Sequence, residues 1–210
     1  MILQVELEER LADVNAYFYI DDETRHGFLI DPGAESEKLL QIIAEKNFTL
    51  EKILITHGHF DHIGAVNAIR EKLNIPVVMQ KNGKIYAENA DWNLSSHFGL
   101  NVTLNDVTYL DDGAEISLSA NPDFKVTLIS VAGHTTDGAI YYAEKDGVAF
   151  VGDSIFLGSY GRVDLPGGDE VTLFKNIKTK IFALPNDTVL LSGHTPPTTV
   201  AAEKTRSWFR

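Results

Sequence analysis

The chain of 210 residues contains no cysteine. Thiolate metal ligands, cysteine nucleophiles and disulfide staples are therefore excluded, and a cytoplasmic setting is the expectation. Positive charge is scarce: 18 Lys and Arg stand against 30 Asp and Glu, a formal net charge of −12. Phosphate-backbone binding needs basic patches, so nucleic acid is not an expected partner, and the acidic balance fits plain solubility. No apolar stretch approaches the roughly 20 residues of a membrane span, and the N-terminus has no cationic start followed by an apolar run. A chain without membrane association or a targeting segment is expected. Glycine- or serine-rich linkers and low-complexity tracts are also missing, so residues 1–210 are expected to form one domain. With 44% hydrophobic residues that domain can bury a full core. Nothing in the composition fixes an oligomeric state.

What the chain does have is a concentration of histidine. In Ile53–Gly64, ILITHGHFDHIG, three histidines and an aspartate fall within six residues. Ile53, Leu54 and Ile55 suit a short buried strand, and Thr56–Phe60 supplies a loop at its end. Asp61 is expected to cap a helix whose buried face carries Ile63, Val66, Ile69 and Leu73, with Gly64 and Ala65 permitting close approach. His57, His59, Asp61 and His62 are thus held between two regular elements. Imidazole nitrogens and a carboxylate suit zinc, iron or manganese, and the group has enough ligands for more than one ion.

The same arrangement recurs downstream. His134 in VAGHTTDG, Asp153 in FVGDSIF and His194 in LLSGHTPP each follow a glycine at the end of an apolar segment. A single glycine–histidine pair is an ordinary turn. Three such placements beside HGHFDH point to one divided metal site.

Around these motifs the patterning predicts a first strand at Ile2–Glu8 and a hairpin from Asn15–Asp21 and His26–Asp31, ended by Asp31-Pro32-Gly33. A helix is predicted over Ser36–Lys46, a strand over Pro76–Met79 and a helix over Gly83–Trp92. Asn93–Asn105 has no sustained period and reads as a lid or pocket wall, with Trp92, His97 and Phe98 either lining it or packing at the surface. Strands follow at Thr108–Leu110, Glu115–Leu118, Lys125–Val131, Ala139–Ala143 and Val148–Val151, then an Asp169-capped helix to Phe182. A strand at Thr188–Leu191 delivers His194, and a helix over Thr198–Phe209 closes the chain, anchored by Trp208 and Phe209. Two strand-rich halves with helices on their outer faces make an α/β sandwich. His26 and His97 lack ligand-like companions and are assigned surface or packing roles.

These ordered motifs resemble the metallo-beta-lactamase superfamily, in particular its small glyoxalase II-like (hydroxyacylglutathione hydrolase-like) members. The resemblance spans essentially the whole chain, from Asp31, similar to an early structural aspartate, to GRVDLPGGD at Gly161–Asp169 and His194. It implies a four-layer αββα sandwich and two divalent metal ions, zinc first, with iron or manganese as alternatives. His57, His59 and His134 are implied as ligands of one ion, Asp61, His62 and His194 of the other, with Asp153 bridging. A metal-bridging hydroxide, which Asp61 helps to orient, would attack a small-molecule thioester such as S-lactoylglutathione or a related ester.

Thr56 and Thr135 are candidates to support neighbouring histidines by hydrogen bonding, or else cap the backbone locally. Tyr160 and Arg162 are candidate contacts for a substrate carboxylate, with Arg162 alternatively bracing Asp164. Other readings within the resemblance are a lactonase, a mononuclear iron persulfide dioxygenase and a metal-binding scaffold without activity. Full-length glyoxalase II enzymes carry a further helical region with basic glutathione contacts; here 16 residues follow His194, so thioester chemistry is implied more firmly than glutathione recognition.

Overall fold

In the computed structural model, residues 1–8 and 13–206 are described. Chain order runs β1 (Ile2–Leu7), β2 (Val14–Ile20), β3 (His26–Ile30), α1 (Ser36–Lys46), β4 (Thr49–Leu54), α2 (Phe60–Ile63), α3 (Val66–Leu73), β5 (Val77–Gln80), α4 (Lys84–Glu88) and β6 (Val107–Leu110). The second half comprises β7 (Glu115–Ser117), β8 (Lys125–Ser130), β9 (Ala139–Ala143), β10 (Val148–Gly152), a small hairpin β11 (Ile155–Phe156) and β12 (Ser159–Tyr160), α5 (Glu170–Asn176), β13 (Val189–Ser192), β14 (Thr198–Thr199) and α6 (Val200–Lys204).

Among the described residues β1 to β6 form one sheet in sequence order, and the other runs β14-β13-β10-β9-β8-β7. Strands β1, β2 and β3 pair antiparallel, whereas β3 to β6 pair parallel. In the second sheet β8 and β10 are both antiparallel to β9, and β13 is parallel to β10. Strands β8, β10 and β13 therefore run in one direction, which brings the loops after them, with His134, Asp153 and His194, to one end of the sandwich.

Three apolar clusters define the layers. Tyr17, Tyr19, Phe28 and Leu54 of the first sheet meet Leu128, Tyr141 and Phe150 of the second. Alternate residues of the first sheet, such as Phe18, Leu29 and Ile53, pack on Leu39 and Ile43 of α1 and Val66 and Ile69 of α3. On the opposite outer face Ile140, Ala149 and Leu190 pack on Leu173 of α5, on Ile177 and Ile181 beyond it and on Val200 of α6. The period of two along each strand sends one set of side chains between the sheets and the other under the helices. This is the helix–sheet–sheet–helix order of the αββα sandwich.

Local differences have local causes. The helix expected from Asp61 to Leu73 is two helices, with Asp61 inside the first turn of α2 rather than at its cap, which is His59. The helix is interrupted after Ile63, where Ala65 N donates to Pro32 O at 3.0 Å, and position 64 is glycine because a Cβ there would lie 2.3 Å from the Gly33 carbonyl oxygen. The expected helix 83–92 ends at Glu88, since the Asn89 side-chain oxygen takes the N–H groups of Asp91 and Trp92 and turns the backbone. At Asp169 the expected cap is present, its carboxylate accepting from Thr172 N at 2.7 Å, but α5 runs into a π-helical turn at Ile177–Ile181. The closing helix starts only at Val200, capped by Thr199, because Thr198 and Thr199 first pair with β13. Trp208 and Phe209 lie outside the described residues.

Candidate metal centre

Strand β4 ends at Leu54, and the next five residues cross the end of the sandwich carrying His57 and His59; α2 then presents Asp61 and His62 one turn later. His57 Nε2 lies 3.2 Å from His59 Nδ1, and His134 Nε2 lies 3.1 Å from the same atom. Three imidazole nitrogens thus converge on one point, two from the first sheet's loop and one from the loop after β8. Burial, followed by the charges of neighbouring imidazoles, holds His57 well below the usual histidine range and brings His59 down to about 3. Both rings are neutral near pH 7, with lone pairs free to donate.

A second cluster forms beside it. His62 Nε2 lies 3.8 Å from Asp61 Oδ2 and 3.4 Å from Asp153 Oδ1. His194 Nε2 lies 3.3 Å from Asp61 Oδ2 and 3.4 Å from Asp153 Oδ2. Burial opposes a charge on His62, but Asp153, Asp61 and Asp31 outweigh it and raise the ring well above its ordinary value. His194 follows the same pattern: burial is outweighed by hydrogen bonds to Asp153 and Asp61, and its pKa is raised to about 10. Asp153, though buried, is held well below the usual carboxylate range by His62 and His194. This is a strongly cation-attracting pocket.

The outward nitrogens are fixed as well. His134 Nδ1 donates to Arg162 O at 2.6 Å, His194 Nδ1 to Asp13 O at 2.8 Å and His62 Nδ1 to Asp31 Oδ2 at 3.0 Å. Each bond fixes its ring so that Nε2 faces inward, an arrangement that sets orientation at metal sites. Thr56 donates its N–H to Asp31 Oδ1 at 2.8 Å and its hydroxyl to Asp31 Oδ2 at 2.6 Å, and its Oγ1 lies 3.3 Å from His57 Nδ1. Thr56 and Asp31 are therefore hydrogen-bonded together behind the candidate ligands His57 and His62. Thr135 is buried beside His134 and supports no ring by a hydrogen bond of its own; its hydroxyl approaches the Asp137 carboxylate instead.

The donor set fits divalent metal ions. His57, His59 and His134 place their ligand atoms within 4.8 Å of one another, as do His57, His62 and Asp153, and Asp61, His62 and His194. His62 Nε2 and Asp153 Oδ1 are buried without a hydrogen bond of good geometry, which is costly unless a cation engages them.

The other expected residues sit at the margin. Arg162 forms a two-pronged pair with Asp164 at 2.7 and 2.8 Å, the bracing alternative, and contributes its carbonyl to His134. Tyr160 bonds Glu170 at 3.2 Å and packs edge-on against Phe174. In the 93–105 segment, Phe98 stacks on Phe60, while Trp92 meets Tyr86, which in turn faces His59. His26 pairs with Glu51 at 2.8 Å, away from the ligand clusters, in keeping with a packing role. Sequence reasoning missed Asn15, Tyr17 and Asp137. The first two sit in an ordinary-looking strand, and Asp137 reads as a turn residue beside Gly138.

This pairing of sandwich and histidine–aspartate loops defines a class of metal-dependent hydrolases. Residues 10–194 match the metallo-beta-lactamase superfamily, and the chain belongs to it. It is 39% identical over 196 residues to the probable metallo-hydrolase YqgX of Bacillus subtilis, covering 93% of this chain and 91% of that protein. It is 31% identical over 191 residues to the hydroxyacylglutathione hydrolase GloC of Haemophilus influenzae, covering 90% and 89%. Among solved structures it resembles the BLEG-1 B3 metallo-beta-lactamase, at a TM-score of 0.92 and 33% identity over 100% of this chain and 99% of that one. TTHA1623 in a di-iron-bound form gives a TM-score of 0.86 at 32% identity, over 98% and 99%. The chain is thus a metallohydrolase of this superfamily. No described helix is long and apolar enough to cross a membrane.

Proposed function

We propose that the chain is a binuclear metallohydrolase that cleaves a small thioester. The carrying observation is Asp153, whose Oδ2 lies 3.7 Å from His134 Nε2 in one cluster and 3.4 Å from His194 Nε2 in the other. His57, His59 and His134 would hold one divalent ion and Asp61, His62 and His194 the other, with Asp153 shared. Two such ions supply an activated water and an electrophilic contact for a carbonyl oxygen. His62 and a hydrogen bond from His194 outweigh burial and keep the Asp61 carboxyl below its ordinary value, so its carboxylate would be available to orient an activated water by accepting a hydrogen bond. The thiol leaving group departs readily as a thiolate, so no general acid is needed at the sulfur. Similarity to GloC, named as a hydroxyacylglutathione hydrolase, supports thioester over other esters. The di-iron form of TTHA1623 supports iron beside zinc and manganese as the occupant.

The test is a substrate panel on the metal-loaded protein: S-lactoylglutathione, a simple lactone and a β-lactam, assayed with and without oxygen. Oxygen-independent thiol release from the thioester, faster than opening of either ring, is expected. One iron per chain with persulfide-dependent oxygen uptake overturns the proposal, as does preferential opening of the lactone or the β-lactam.

A further inference from the structure

His194 does not project from a rigid strand. It sits in the tight segment Ser192–Thr195, which begins at the last residue of β13. That segment lies hard against the metal centre: a Cβ on Gly193 would come within 2.4 Å of Asp153 Oδ1 and 2.6 Å of His62 Cε1. Small shifts of this backbone therefore move His194 and press on two other ligands.

The segment is held from the opposite sheet by two side chains of β2, Asn15 and Tyr17. Asn15 in β2, itself buried, donates from Nδ2 to Ser192 O at 3.1 Å and to Thr195 O at 3.2 Å. Its backbone N–H donates to Gly193 O at 2.7 Å, and Gln4 Nε2 donates to its Oδ1 at 2.9 Å, fixing which way the amide faces. Tyr17, two residues on and so on the same face of β2, donates its hydroxyl to Ser192 O at 2.7 Å. One carboxamide thus grips the carbonyls at both ends of the loop that carries His194, across a sequence separation of 177 and 180 residues. Only an amide or a cation donates two hydrogen bonds in this way, and an amide does so without adding charge beside the carboxylates.

We propose that Asn15 is a positioning residue for the His194 side of the metal centre, acting through the Ser192–Thr195 carbonyls. This inference rests on the two-cluster reading above. Disturbing it weakens the cation site formed by Asp61, His62 and His194 while leaving His57, His59 and His134 intact.

The discriminating experiment titrates metal-depleted protein with Co(II), following its visible absorption, and compares wild type with Asn15→Asp. Aspartate keeps the shape but turns both donors into acceptors facing two carbonyls. The expected result is unchanged affinity for the first ion and about 10- to 100-fold weaker binding of the second. At saturating metal, kcat should fall and KM should hold. A merely structural role would lower thermal stability with the two affinities unchanged or reduced together, and that result overturns the proposal. If wild type itself binds one ion, the two-cluster reading fails and the proposal falls with it; two ions bound with equal losses in the variant overturn the role of Asn15 alone. Should Asn15→Asp not give folded protein, Gln4→Leu on the edge strand frees the amide to rotate; a several-fold loss confined to the second ion is expected, and equal affinities contradict the proposal.

Discussion

Asp31 Oδ2 lies 3.0 Å from His62 Nδ1, and the same carboxylate takes both the N–H and the hydroxyl of Thr56. Asp31 holds a left-handed backbone with φ of 50°, a conformation that non-glycine residues adopt at a cost. It is not one of the converging ligands, yet it links the ring of His62 to the residue that precedes His57. Asp31→Asn should keep the fold and weaken the His62-containing cation site by about 10- to 100-fold. Asp31→Ala leaves the buried Thr56 N–H unpaired and should cost about 1–3 kcal/mol of stability besides. Metal titration and urea unfolding on the same samples separate the two effects.

His134 closes the three-imidazole cluster from the second sheet. Substitution by alanine should abolish binding at that cluster and reduce hydrolysis by at least about three orders of magnitude, while the cluster around His194 still takes up metal. Elemental analysis with thiol-release kinetics checks this; unchanged metal content and rate would contradict the assignment.

Asp137 gives a pH-dependent prediction. Burial, only partly offset by the Thr135 hydroxyl and the Gly58 N–H, raises its carboxyl from an ordinary 3.8 to about 7. Between these values the folded chain retains a proton that the unfolded chain has lost, so stability from this group is full below about pH 4 and declines as pH rises towards 7. The loss is on the order of 4 kcal/mol across that window. Asp137→Asn removes the titration, so its stability relative to wild type should increase steadily from pH 4 to 8 in urea unfolding. A constant difference over that range would contradict the buried, proton-retaining carboxyl.

Arg162 offers a contrast. Its guanidinium is occupied by Asp164 in an exposed pair, whereas its contribution to His134 comes from the backbone carbonyl. Arg162→Ala should therefore alter stability by less than about 1 kcal/mol. Metal content should be unchanged, and KM for a carboxylate-bearing thioester should rise no more than about threefold. A tenfold rise in KM would restore Arg162 as a substrate contact.

Much of this centre was legible from the chain because ligand chemistry is dense and local. His57, His59, Asp61 and His62 are nearly contiguous, and each later candidate ligand follows a glycine near a strand end, so residue type and position pointed to the same cluster. The two-layered helical cover was legible from apolar periodicity in α1 and α5. What escaped depended on contacts between distant segments. The interruption after Ile63 follows from the approach of Pro32-Gly33, and the role proposed for Asn15 follows from carbonyls about 180 residues away; neither leaves a periodic trace. Asp137 escaped for a different reason: as a turn-former beside glycine it looks exposed, and only its packing behind Gly58 reveals a buried acid.

The central claim is that two ions act together across Asp153. It is tested most directly by titrating metal-depleted protein with zinc, iron or manganese while following thiol release from S-lactoylglutathione. Activity should climb to a plateau at two ions per chain, and Asp153→Asn should abolish it. A plateau at one ion per chain, with full activity and no gain from a second, would contradict the account.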